Sequence, residues 1–225
     1  MKPMVEVIKV GKLSFHFGIE QGTQAWLELR EGKVTCSNAL TLLTRGKNYC
    51  LEANRLAATR ITPNGNTYAE RGHVIENETR EELNAFLMKH GLKLVTCAFI
   101  TNDDYPDAGY SPDGLIVPLS EEEWWLSGHF IPAEFKAYND FTLRQGTNGE
   151  KTLVQTDKHH KAVNDYEEVP LLCKAQCQME MLMMGADKLC LVLSNPDAQA
   201  EEEKVKIWWV DKDDKIRARL IQKLS

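Results

Sequence analysis

Ser111-Pro112-Asp113-Gly114 leads into the apolar Leu115-Ile116-Val117, and further on stands Pro132-Ala133-Glu134-Phe135-Lys136. Pro-Asp-Gly is turn chemistry: proline presets its own backbone angle and glycine accepts positive φ. Ala133 to Ala137 reads as the centre of a short strand, in which alternate side chains share a face. Glu134 and Lys136 then point one way and Phe135 the other. If the two strands lie side by side, Asp113, Glu134 and Lys136 meet at one point. Two carboxylates there suit a hard cation, with an ammonium beside it.

The chain has 225 residues, enough for one substantial core or at most two small domains. Its composition, 43% hydrophobic and 27% charged, is that of a globular protein rather than a disordered or membrane-spanning one. No apolar run approaches the ~18 residues that span a bilayer, and the N-terminus lacks a signal-type pattern. A cytoplasmic protein without membrane attachment is expected. The six cysteines (Cys36, Cys50, Cys97, Cys173, Cys177, Cys190) are scattered through apolar runs, which predicts buried reduced thiols. Cys173 and Cys177 are four apart on a predicted helix, but no second pair completes a zinc or iron–sulfur site. A net charge of −6 argues against a general nucleic-acid binder. It leaves room for a local basic groove, and for acidic residues gathered round a metal.

Upstream, weak alternation from Val5 to Phe17 predicts one or two strands around a turn at Gly11. Thr23 caps a predicted helix carrying Trp26, Leu27 and Leu29, and Gly32 ends it. Thr35 or Ser37 can cap the next helix, near Asn38 to Leu43. Free helix-start N–H groups, hydroxyls and Arg30 can receive a phosphate; alternatively, this is a scaffold helix–turn–helix with an exposed arginine. Arg45-Gly46-Lys47-Asn48 reads as a basic loop, Tyr49 to Thr59 as helix, and Pro63-Asn64-Gly65-Asn66 as a break. The longest helical pattern runs from Thr67 to His90, and within it Glu76 either reaches inward or lies on the surface.

Lys93 to Ile100 reads as one strand and Asn102 to Asp107 as a turn. Glu121-Glu122-Glu123-Trp124-Trp125 predicts a solvated helix start with the tryptophans packed beneath it or at a subunit interface. The segment from Tyr138 to Glu168 is polar and reads as irregular. Within it Lys158-His159-His160-Lys161 suggests a mobile basic loop, since adjacent histidines share no helix or strand face. Pro170 suits the first turn of a helix. Leu171 to Met184 follows, placing Leu171, Ala175, Met179, Leu182 and Met183 toward a core, with Gln176 either satisfied internally or facing a site. Lys188–Leu193 and Val205–Val210 read as strands, and 211–224 as a closing amphipathic helix.

Phosphodiester hydrolysis needs neutralised oxyanions, hydroxide near neutral pH and a stabilised leaving oxygen. Mg²⁺ held by one or two carboxylates meets these needs, and Mn²⁺ can substitute. Asp113 and Glu134 are suitable ligands, the backbone carbonyl of Phe135 a third, and Lys136 can orient the attacking water and help deprotonate it.

These residues resemble the metal-binding and catalytic motif of the PD-(D/E)xK nuclease superfamily, in its lambda-exonuclease-like (YqaJ-type) branch. Arg71-Gly72-His73-Val74-Ile75-Glu76 resembles the upstream helix motif, whose final glutamate is a metal ligand. Ala175-Gln176-Cys177-Gln178 is similar to the downstream glutamine motif, and 26–37 to the segment that receives a 5′-phosphate. The four motifs stand in the family's order. Cys36 departs from the usual small alanine, and a Trp-rich insertion separates Asp113 from Glu134.

The resemblance implies an α/β fold, with a central mixed β-sheet flanked by helices and a restriction-endonuclease-like core, as one domain over 1–225. It implies Glu76, Asp113 and Glu134 for metal, Lys136 for the water, Gln176 in support, and Arg30 and Ser37 for the terminal phosphate. The activity implied is a Mg²⁺-dependent 5′-to-3′ exonuclease on linear duplex DNA, preferring 5′-phosphorylated ends and leaving a 3′ overhang for recombination. A single-strand annealing protein, a homotrimeric ring and a phage or prophage setting in a bacterial cytoplasm are implied with it. Two rivals are a structure-selective or nicking endonuclease, and a non-catalytic DNA-binding protein on the same fold.

Overall fold

The strand expected around Glu134 forms as β8 of a computed structural model that describes residues 6–59, 67–126, 128–137, 141–145, 151–155, 169–194 and 205–225. Side chains are described for these residues except 67–75, 137, 141–145 and 151–155. In chain order, β1 (Glu6–Val10) and β2 (Leu13–Phe17) form a hairpin turning at Gly11, whose φ of 59° needs glycine. There follow α1 (Gln24–Arg30), β3 (Val34–Thr35), a 3₁₀ turn at Cys36–Asn38, α2 (Ala39–Arg45), α3 (Lys47–Thr59) and α4 (Thr67–Met88). Next come β4 (Leu92–Val95), β5 (Phe99–Asn102), β6 (Ala108–Gly109), β7 (Gly114–Pro118), a 3₁₀ turn at Trp124–Leu126, and β8 (Ile131–Ala137). The last elements are β9 (Phe141–Gln145), β10 (Lys151–Gln155), α5 (Leu171–Met184), β11 (Lys188–Ser194), β12 (Val205–Asp211) and α6 (Asp214–Leu224).

The central sheet has the order β12-β11-β8-β7-β4. β8 and β11 are parallel and the other neighbours antiparallel, so the sheet is mixed, as the α/β expectation required. α5 supplies the crossover that precedes β11. Alternation along β8 divides its side chains between two helical layers. Phe135 and Ala133 join Ile116, Cys190 and Val192 against Leu83 and Leu87 of α4. On the other face α5 sends Ala175, Met179 and Leu182 to the cluster containing Leu115 and Val117. Cys173, Cys177 and Met181 meet Leu189, Leu191 and Leu193. All six cysteines are buried free thiols, as expected from the apolar runs around them.

Several local expectations are corrected. Lys93 to Ile100 is not one strand: β4 belongs to the central sheet, β5 to the sheet β1-β2-β5, and the chain changes sheet between them. The hydrophobic pattern runs through the break because both halves are partly buried. The basic loop shrinks to Gly46, since Lys47 already begins α3. Within Tyr138–Glu168, β9 and β10 pair antiparallel, Lys151 opposite Gln145. The histidine pair at 159–160 and the break at 63–66 lie outside the described residues. Leu171, assigned to the core from its helical spacing, is 59% exposed in the first turn of α5, where its neighbour Leu172 is exposed too. Trp124 and Trp125 pack against β2: Trp124 lies 5.5 Å from Phe15 and 5.9 Å from Phe17, centroid to centroid.

Candidate metal and phosphate site

β7 and β8 pair over only three positions, Gly114 opposite Ala133 to Ile116 opposite Ile131. Beyond them the chain leaves β7 through Ser111-Pro112-Asp113, while Glu134, Phe135 and Lys136 stay paired to β11 on their other side. The sheet therefore splits at this point. The Phe135 N–H, left without a β7 partner, donates to Oδ2 of Asp113 at 3.2 Å. In a strand the N–H and C=O of one residue point to the same side, so the Phe135 carbonyl faces the same notch. Gly114 is not in the left-handed region; its role is steric, since a Cβ there would meet Leu94 Cδ1 at 2.7 Å.

Glu134 is 1% exposed and its carboxylate accepts from Lys136 Nζ and, at 2.6 Å, from Gln176 Nε2. The two glutamines of Ala175-Gln176-Cys177-Gln178 divide their tasks. Gln176 faces the site, while Gln178 donates to Asp211 O at 3.0 Å and accepts from Asp213 N–H at 2.7 Å, joining α5 to the start of α6. Glu180, also buried, accepts from Gln176 Nε2 at 2.9 Å and from the Tyr110 hydroxyl at 3.3 Å. Reading motifs alone missed both Tyr110 and Glu180. A signal existed: Glu180 stands four residues after Gln176, on the same helix face, in the otherwise apolar run Met179–Met184.

The electrostatics follow from burial. Glu134 is held well above the ordinary carboxylate range by burial first, then by Asp113 and Glu180. Glu180 is pushed up to about 7, again mainly by burial. Burial alone would lower the Lys136 ammonium, but Glu134 and Asp113 outweigh it and raise its proton affinity. In this state Lys136 is a donor, with no lone pair to take a proton from water. Three acids thus act on one another beside a single ammonium. That donor set, all hard oxygen and short of positive charge, fits a divalent cation such as Mg²⁺.

The structure brings Asp113, Glu134, Lys136 and Gln176 together. Glu76 sits half-buried on α4, the helix that covers the opposite face of the sheet. Among the described residues no three His, Cys, Asp or Glu side chains form a ready metal cage.

Arg30 and Ser37 form a second cluster. The Arg30 guanidinium lies 4.0 Å from the centroid of Trp26 and donates to Thr35 Oγ1 at 3.2 Å and to Ser37 Oγ at 3.4 Å. Thr35 and Ser37 hydroxyls are 3.0 Å apart, and Asn38 Oδ1 accepts from both the Thr35 N–H and hydroxyl. Asn54 Nδ2 fixes Asn38 from α3 at 2.7 Å. Burial holds Arg30 below its ordinary value, though an arginine stays charged. The clusters are neighbours: the buried Cys36 thiol, between Thr35 and Ser37, is raised by burial and then by Glu180 and Glu134. Ser37 is exposed, so an anion can reach the guanidinium and hydroxyls together.

Comparison of the sequence with models of known protein families and with curated proteins found no match. Solved structures do match. LHK-Exo in complex with dAMP superposes with a TM-score of 0.63 at 20% identity, covering 90% of this chain and 89% of that one. The alkaline exonuclease LHK-Exo from Laribacter hongkongensis superposes at 0.60 and 18% identity, with the same coverage. A phage-related exonuclease from Haemophilus somnus 129PT gives a looser likeness, 0.46 at 13% identity, covering 88% and 92%. The chain has the fold of the alkaline exonuclease LHK-Exo; the resemblance to the lambda-exonuclease-like branch of the PD-(D/E)xK nucleases rests on the order of its motifs.

Proposed function

We propose that this protein is a divalent-metal-dependent deoxyribonuclease, a 5′-to-3′ exonuclease that degrades one strand of linear duplex DNA and releases 5′-mononucleotides. The observation that carries this reading is the split between β7 and β8, where Asp113, Glu134 and Lys136 face one notch. Asp113, Glu134 and the Phe135 carbonyl would hold Mg²⁺; Glu76 joins them on the motif resemblance alone. The cation, when bound, supplies charge neutralisation at the phosphate and lowers the pKa of water.

The chain's own residues do the rest. Lys136 donates from its ammonium and so holds a water or a phosphate oxygen in line with the notch. Gln176 restrains the Glu134 carboxylate that Lys136 also contacts. Arg30 and Ser37 receive the 5′-phosphate of the DNA end, and charge-assisted hydrogen bonds of this kind contribute about 1.5–3 kcal/mol. LHK-Exo was solved with dAMP, a nucleotide of the kind such a reaction would release. A homotrimeric ring, a single-strand annealing partner, and a phage or prophage setting in a bacterial cytoplasm belong to the same proposal. No helix of the described residues is long and apolar enough to cross a membrane.

The deciding experiment uses linear duplexes labelled at either 5′ end or 3′ end, with and without 5′-phosphate, in Mg²⁺ or Ca²⁺, alongside covalently closed circular duplex. Stepwise loss from the 5′ end in Mg²⁺, with the circle intact, is the expected result. Cutting of the circle would instead establish an endonuclease. Binding without cleavage in any metal would leave a DNA-binding protein on a nuclease fold.

A further inference from the structure

Gln176 holds Glu134 with one amide hydrogen, but an amide can turn over. Rotation by half a turn about its last bond exchanges oxygen and nitrogen and would set Gln176 Oε1 against the Glu134 carboxylate. A second contact opposes this. The same Nε2 gives its second hydrogen to Glu180 Oε1 at 2.9 Å, so a flipped amide would face two acids rather than one. Glu180 is in turn held at its other oxygen by the Tyr110 hydroxyl at 3.3 Å. Glu180 and Tyr110 are wholly buried, so neither has water as an alternative partner. Tyr110 exchanges backbone hydrogen bonds with Ile100 at 2.7 and 2.9 Å, and it stands three residues before Asp113. The chain of contacts therefore starts beside one acid of the notch and ends on the other.

We propose that Glu180, anchored by Tyr110, is a positioning residue: together with the Gln176 amide, which it fixes, it holds the Glu134 carboxyl group, within hydrogen-bond reach of its own, in the orientation that receives the cation. The inference rests on the metal-dependent reading of the notch given above. Outer partners of metal ligands typically contribute about 10- to 100-fold in metal affinity. Because Glu180 and Gln176 hold each other and the same Glu134 carboxyl group, their contributions are not independent, and a double-mutant cycle exposes this.

The test is Mn²⁺ binding to the full chain without DNA, by calorimetry and by the Mn²⁺ electron paramagnetic resonance signal. The proteins are unsubstituted, Glu180→Ala, Gln176→Ala, the double variant, Glu180→Gln and Tyr110→Phe. Glu180→Ala and Gln176→Ala are each expected to weaken binding about tenfold or more, and the double variant no further than about twofold beyond either. Glu180→Gln keeps an oxygen for Gln176 and an amide for the Tyr110 hydroxyl, so it is expected to stay within about threefold. Additive losses in the double variant would overturn the assignment. So would unweakened Glu180→Ala, or a Glu180→Gln as weak as Glu180→Ala, since the charge would then act on the metal directly. If Glu180→Ala does not fold, the cycle is run with Tyr110→Phe and Gln176→Ala, and additivity there overturns it equally. DNA hydrolysis is measured in parallel. Coupled Mn²⁺ losses without hydrolysis would sink the nuclease reading and leave the positioning role standing; hydrolysis with additive losses would do the reverse. No Mn²⁺ binding by the unsubstituted protein would overturn both.

Discussion

The indole N–H of Trp26 donates to the hydroxyl of Ser111 across 3.0 Å, and the same ring lies beneath the Arg30 guanidinium. One side chain therefore links the cluster that would receive a terminal phosphate to the turn that carries Asp113. For the exonuclease proposed above a fixed spacing matters, since a small misplacement of the scissile bond can cost about a hundredfold in rate.

Replacing Trp26 by phenylalanine keeps an aromatic face for Arg30 but removes the hydrogen bond. The expected loss of stability is about 1 kcal/mol in denaturant titration, with a larger relative fall in cleavage rate. A variant less stable by that amount yet as fast as the unsubstituted protein would show that the Trp26–Ser111 bond does not set the spacing.

Lys136→Ala removes the ammonium that Glu134 contacts. Turnover should fall by about 10²–10³-fold, the cost of losing one preorganised donor, while binding of a DNA end changes only a few-fold, as read by single-turnover kinetics beside fluorescence anisotropy. Residual activity near that of the unsubstituted enzyme would remove Lys136 from the chemistry.

Arg30→Ala should cost roughly tenfold to a hundredfold in kcat/KM on 5′-phosphorylated duplex, the range of about 1.5–3 kcal/mol for a charged hydrogen bond. It should change little on 5′-hydroxyl ends. Equal losses on both substrates would mean that Arg30 supports the scaffold rather than the phosphate.

Without a divalent cation, stability should fall as pH rises. The glutamate in an unfolded chain titrates near its ordinary 4.5, whereas folded Glu180 titrates at about 7 and Glu134 is raised as well. Between those values the folded state holds more protons, so its advantage is complete below 4.5 and lost as pH passes about 7. Thermal melts in EDTA from pH 5 to 8 should show a decline of roughly 5 °C. Mg²⁺ should reverse it at the alkaline end, because a bound cation favours the ionised acids. A melting temperature flat across that range would contradict the burial-driven shifts.

Much of the site was legible because its residues lie close in the chain or on a regular element. Thr23 caps α1 as its position suggested, accepting from Trp26 N–H at 3.4 Å. The strand period put Glu134 and Lys136 on the face opposite Phe135. Glu180 was not legible in the same way: its i,i+4 spacing from Gln176 is readable, but nothing in the sequence says that this face of α5 meets Tyr110, seventy residues away. Leu171 shows the converse, an apolar residue at helical spacing that is exposed rather than in the core it was expected to join.

The sequence by itself determined the alternation that sorts Glu134, Phe135 and Lys136 between two faces, because side-chain direction in a strand depends only on its period of two. It also determined the chemistry available, two hard carboxylates beside an ammonium. Only the tertiary structure decided that β7 parts from β8 after three pairs, so that the Phe135 N–H turns to Asp113. It likewise decided that Glu134 and Glu180 are buried, which raises the proton affinity of both. The physical reason is that strand divergence and burial depend on which distant segments pack together, and no local pattern encodes that.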